Sequence, residues 1–137
     1  MLRLRIFAGP NGSGKSSLYK QLRNNFNLGV YINPDDLHSQ ISKSLIIDFN
    51  EFNFVAKQLE WGKFWLSHGL CNKAPLLNDS RIQNNILVLK EQPKSYESAI
   101  LSDFIRHKML KTEETFSFET VFSHPSKLDF IDRKSVV

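Results

Sequence analysis

The sequence holds a single cysteine, Cys71. One thiol closes no internal disulfide, and no metal-ligand spacing surrounds it, so a disulfide-built fold and a cysteine metal site are both excluded. An inert, half-buried thiol is the expectation. Long apolar runs are also missing: none approaches the ~20 residues that a membrane-crossing helix needs. The opening stretch Met1-Leu2-Arg3-Leu4-Arg5-Ile6-Phe7 has neither the apolar core nor the cleavage site of a secretory signal. A cytoplasmic protein with no membrane partner is therefore expected. There is no internal repeat and no low-complexity tract. Charge of one sign is not concentrated either. Eighteen Lys and Arg stand against fourteen Asp and Glu, a formal net charge of +4. The basic residues are scattered, which argues against a nucleic-acid partner. An anionic nucleotide ligand would account for part of the excess.

What is present suits a globular chain. It has 137 residues, 41% of them hydrophobic and 23% charged, with eleven phenylalanines to build a core. That length suggests a single domain, 1–137. Leu2, Leu4 and Ile6 alternate with Arg3, Arg5 and Phe7, a short strand signal. The strand runs into Gly9-Pro10-Asn11-Gly12-Ser13-Gly14-Lys15-Ser16-Ser17, which contains the Walker A pattern G-x-x-x-x-G-K-[ST]. Leu18 and Leu22 follow at helical spacing. Strand, loop and helix thus occur in the order a phosphate-binding loop requires.

Gly29 to Ile32 reads as a second strand, ended by Asn33-Pro34 because proline donates no ladder hydrogen bond. Asp35 or Asp36 can then cap a helix. Between Glu51 and His68, Phe52, Val55, Leu59 and Leu66 suggest an amphipathic helix, its apolar face widened by Trp61, Phe64 and Trp65 and its end marked by Gly69. The stretch from Cys71 to Lys94 reads as an irregular insertion, within which Ile86-Leu87-Val88-Leu89 suits strand or helix. Ser95 can cap a further helix with Leu101, Ile105 and Met109 on one face and Ile100 and Phe104 beside them. Phe116, Phe118, Thr120 and Phe122 share one side of a third strand, and Pro125 suits the first turn of a helix after it. Such alternation predicts an α/β fold on a parallel sheet, whose ligands gather at the carboxyl ends of the strands.

Three polar groups fall at those ends. Gly12 and Gly14 allow the backbone to approach phosphate closely, and the loop N–H groups form an anion nest at a helix start. Lys15 would reach the β- and γ-phosphates, and the Ser16 hydroxyl would bind Mg²⁺. Asp35 and Asp36 serve either as helix caps or as a general base for an attacking hydroxyl. Glu119 and Thr120 close a strand otherwise rich in Phe. Glu119 either faces solvent or holds a substrate hydroxyl or metal. Ser123 and His124 suit a turn before Pro125.

Taken together, "FAGPNGSGKSSL", "YINPDDL" and "FSFETVFSHPSKLDFI" resemble the zeta-toxin-like P-loop kinases, and more closely their predicted-ATPase branch. The resemblance implies a nucleotide-kinase-like P-loop NTPase fold, a three-layer α/β/α sandwich, with ATP or GTP as phosphoryl donor and Mg²⁺ as its companion. It implies transfer to a small-molecule hydroxyl, and UDP-N-acetylglucosamine is the acceptor of characterised zeta toxins. By motif, Lys15 and Ser16 handle phosphate and metal, Asp35 matches the base, and Glu119 and Thr120 match the strand end that contacts the sugar. An antitoxin protein that blocks the nucleotide site is the partner the toxin–antitoxin relationship implies.

The chain departs from the family after its third strand and helix. In the family, the first strand lies between the third and a fourth, and a lid supplies arginines. Here Arg133 is the one arginine beyond Ser123, and no apolar run ending in Asp supplies a Walker B strand. The expectation is the truncated, N-terminal portion of the kinase domain. Two other outcomes stay open: a nucleotide-binding fragment without turnover, and a P-loop ATPase acting with a partner.

Overall fold

A computed structural model of the chain describes residues 4–8, 30–112 and 116–120. The chain divides into two compact units. One is Met1–Asn33 with Thr112–Val137, and the other is Pro34–Lys111.

The first unit carries a three-stranded parallel sheet. Its strands are β1 (Leu4–Ala8), β2 (Val30–Ile32) and β6 (Phe116–Thr120), in the order β1-β6-β2. Leu4 lies opposite Phe116 and Ala8 opposite Thr120. On the other side of β6, Val30 lies opposite Phe116 and Ile32 opposite Phe118. Each of the three strands overlaps a segment in which a strand is expected. The Phe-rich third strand is the central one.

The second unit opens with α1 (Pro34–Ser44), on which Leu37 and Ile41 are buried. Proline suits this first turn, where its missing N–H would have had no helical partner. Leu45 closes α1 in the left-handed region, at φ 61°. Its N–H goes to the Ile41 carbonyl at 2.8 Å, and its own carbonyl accepts the Leu89 N–H at 2.8 Å. The chain continues into β3 (Ile46–Asp48), a 3-10 turn (Phe49–Phe52) and α2 (Gln58–Leu66). Two short 3-10 turns, Cys71–Lys73 and Pro75–Asp79, lead to the hairpin of β4 (Arg81–Gln83) and β5 (Ile86–Val88). Next comes α3 (Ser95–Leu110). The sheet is antiparallel with order β3-β5-β4, Ile47 and Ile82 both lying opposite Leu87. Phe104 of α3 sits at the centre of an aromatic core. Its ring lies 5.0 Å from Trp61, 5.3 Å from Phe64 and 5.7 Å from Phe49.

The three-layer α/β/α sandwich expected from the sequence is corrected by this arrangement. That fold needs helices on both faces of one parallel sheet. All three described helices instead belong to the second unit, together with a small antiparallel sheet. The physical cause lies in the stretch from Leu45 to Lys94. Its three short strands pair with one another through an asparagine turn, and its aromatic residues pack on α3 to form a separate core.

The helix expected from Glu51 to His68 is shorter, and its buried face is different. Val55, Leu59 and Leu66 are 67%, 70% and 61% exposed, while Trp61 and Trp65 are buried at 0% and 8%. The larger aromatic surfaces win the core side. Asn53, in the left-handed region at φ 60°, separates the 3-10 turn from α2. Ser67 rather than Gly69 stops the helix, its hydroxyl donating to the Lys63 and Phe64 carbonyls at 2.9 and 3.0 Å. The expected apolar residues of α3, Ile100, Leu101, Phe104, Ile105 and Met109, are all buried, although the N-cap position is Lys94 rather than Ser95. Cys71 is half-buried. No helix among the described residues is long and apolar enough to cross a membrane.

Candidate functional site

Because the strands of the first sheet run in one direction, their carboxyl ends share one edge. The register defines it closely. Ala8, the residue before Gly9, lies opposite Thr120, and Phe7 lies opposite Glu119. Ile32, the residue before Asn33, lies opposite Phe118. Open parallel sheets collect ligands at this edge.

The expected site residues divide accordingly. Glu119 and Thr120 are the last two residues of β6 and lie on this edge. Gly9, Pro10, Asn11, Gly12, Ser13, Gly14, Lys15, Ser16 and Ser17 lie outside the described residues, as do the helix expected from Leu18 to Leu22, the Ser123-His124 turn and the helix expected after Pro125. Asp35 and Asp36 are exposed on the first turn of α1. They follow Pro34 within the helix and so are not its caps. Carboxylates there meet the positive end of the helix macrodipole. Among the described residues, no group of three or more His, Cys, Asp or Glu could hold a metal ion. Ser16, the expected Mg²⁺ ligand, lies outside them.

A second concentration of ionisable groups lies within the helical unit, and its full extent was not visible in the sequence. His68 Nε2 and Asp103 Oδ2 are 2.7 Å apart, and Asp103 also pairs with Arg106 one turn along α3. Arg106 Nη1 donates to Ser102 Oγ at 2.9 Å. The Leu70 N–H reaches His68 Nδ1 at 3.0 Å. That contact makes Nδ1 the acceptor, so Nε2 carries the proton and donates to Asp103.

Burial, and then the Arg106 charge, hold His68 below its ordinary pKa. Burial also pulls Arg106 down to about 9, which still leaves a cation at neutral pH beside the Asp103 carboxylate. Each side chain here is consumed by its neighbours. With both ring nitrogens engaged, His68 has no lone pair for a substrate proton, so the cluster holds structure rather than performing acid–base chemistry. Ser102, Asp103 and Arg106 could have been grouped from their i,i+3 and i,i+4 spacing on a predicted helix. Nothing local in the sequence joins them to His68, 35 residues earlier.

No family model matches the chain, nor does any curated protein or solved structure.

Proposed function

We propose that this chain binds a nucleoside triphosphate on the Gly9–Ser17 loop and donates its γ-phosphoryl group to a hydroxyl of a small molecule. By likeness to the zeta-toxin kinases, a nucleotide-linked amino sugar such as UDP-N-acetylglucosamine is the first acceptor to try. The observation that supports this is the register of β1. It ends at Ala8, immediately before the Gly-rich motif, on the edge where β6 ends in Glu119-Thr120. A loop with this composition presents backbone N–H groups to phosphate, and Lys15 adds the charge that the β- and γ-phosphates need.

In the transfer, the acceptor oxygen bonds to the γ-phosphorus as the bond from that phosphorus to the β–γ bridging oxygen breaks. The nucleoside diphosphate leaves, and a base takes the acceptor's proton. Asp35 is assigned that role from its place in the motif. Glu119 and Thr120 are assigned to the acceptor on the same ground. A cytoplasmic setting, where ATP is abundant, goes with this activity.

The test follows label from [γ-³²P]ATP into UDP-N-acetylglucosamine, comparing the native chain with Asp35→Asn. The amide is nearly isosteric but a poor proton acceptor, so transfer should fall by roughly 10²–10⁴ while ATP binding is unchanged. Transfer by the variant within about threefold of the native rate would overturn the base assignment. No label in the acceptor with native protein would overturn the proposed substrate.

A further inference from the structure

A surface groove of about 300 Å³ runs between α2 and α3, wholly within the helical unit. That volume is at the small end of ligand sites and suits one ring with one polar group. Its wall is aromatic. The half-buried Phe64 ring stands 5.3 Å from Phe104 and 5.2 Å from His107. Its rim is cationic: Lys63 from α2, Lys108 from α3, and Lys111 just beyond it. Glu60 is the one carboxylate in the lining. Lys108 Nζ covers it, at 2.9 Å from both oxygens, and Lys111 Nζ lies 3.9 Å away.

The charges do not balance. Three lysines and one glutamate line the groove, so the rim carries about two positive charges in excess. Lys63 is exposed and has no ion pair among the described residues. Lys111 is 72% exposed at its side chain, and its distance to Glu60 is long. Like charges gathered at a concave surface raise the local potential and favour a counter-charge. A flat ring could lie against Phe64 while two negative charges meet Lys63 and Lys111.

We propose that this groove binds a small dianionic phosphate monoester carrying one flat ring, the chemical class of a nucleoside monophosphate. The site is independent of the Gly9–Ser17 loop, and the two proposals fail separately.

The experiment titrates adenosine monophosphate, phenyl phosphate and inorganic phosphate into the Lys15→Ala chain, which disables the phosphate loop. Tryptophan emission is the readout, because Trp61 lies against Phe104. Adenosine monophosphate and phenyl phosphate should saturate with affinities within about tenfold of each other, and inorganic phosphate should bind roughly tenfold more weakly for want of the ring. The double variant Lys63→Gln/Lys111→Gln, at two exposed positions, should weaken adenosine monophosphate by about tenfold or more with its unfolding temperature nearly unchanged. The proposal is overturned if adenosine monophosphate fails to saturate below roughly 10 mM. Equal affinity in the double variant, or equal binding of inorganic and ring-bearing phosphate, overturns it as well.

Discussion

Glu97 is 1% exposed, and neither of its carboxyl oxygens has a hydrogen-bond partner among the described residues. It stands in the first turn of α3, where the macrodipole favours an acid. The cavity it shares is nonetheless lined mainly by apolar residues, among them Ile41, Leu77, Leu87 and Leu101, with Ser98 beside them. A buried acceptor left unpaired costs about 1–3 kcal/mol. Glu97→Leu, which keeps much of the volume, should therefore raise stability by about that amount in urea denaturation. A loss of stability would show that the carboxyl does something the native fold needs. His68 gives a prediction of opposite kind. Its folded pKa lies below the ordinary 6.5, through burial first and Arg106 second. The unfolded chain thus takes up the proton more readily than the folded one, and stability rises with pH across that interval. The contribution of neutral His68 is complete above about pH 6.5 and is lost as pH falls through the folded pKa. The unfolding temperature should drop between pH 7 and pH 5, and His68→Gln should flatten that drop. An unchanged slope in the variant would remove His68 as its source.

Among the elements, the β4–β5 hairpin organises the helical unit through one side chain. Asn84 and Asn85 both have positive φ, 54° and 64°, as a two-residue hairpin turn requires, and asparagine tolerates this better than most residues. The Asn85 side chain accepts the Ala56 N–H at 2.9 Å and donates to the Phe54 carbonyl at 2.7 Å and to Asn50 Oδ1 at 2.9 Å. It therefore ties the hairpin to the segment that delivers Phe54 to the core. Asn85→Ala should cost about 2–4 kcal/mol by calorimetry, from several lost hydrogen bonds and from alanine's dislike of positive φ. A cost under about 0.5 kcal/mol, typical of a neutral surface change, would contradict this role. The sequence carried part of this. "IQNNIL" is an asparagine pair between short β-branched segments, a hairpin signal that the surrounding prolines and charges obscured. The parallel strands were legible because alternation, Pro34 and the Phe-rich stretch mark them locally. The buried face of α2 was not, because periodicity favoured Val55, Leu59 and Leu66 while Trp61 had a partner far away, its Nε1–H donating to Ser80 Oγ at 2.8 Å. The burial of Glu97 was illegible for a related reason: a helix buried round much of its circumference loses the polar stripe that would reveal its orientation.

At the scale of the whole molecule, two units divide the work. Pro34–Lys111 builds a core around Phe104 and Trp61, and the parallel sheet carries the strand that leads into the Gly-rich motif. Phe104→Ala should cost about 3–5 kcal/mol, since the ring it removes meets Phe49, Phe54, Trp61 and Phe64. Far-ultraviolet circular dichroism during urea unfolding reads that loss, and a cost below about 1 kcal/mol would mean that the aromatic cluster does not hold the helical unit together. On the parallel sheet, Ala8, Ile32 and Thr120 end their strands at the carboxyl edge on which the nucleotide proposal rests. For the nucleotide proposal, the most direct measurement is isothermal titration of MgATP into the native chain and into Lys15→Ala. Lys15 would meet phosphate charge inside a nest of N–H groups, so its loss should weaken affinity by roughly tenfold to a hundredfold, the worth of a charge-assisted hydrogen bond. Saturable heat in the native protein with that loss in the variant is the predicted result. Equal affinity in the two proteins, or no saturable heat in the native one, would contradict nucleotide binding at this loop.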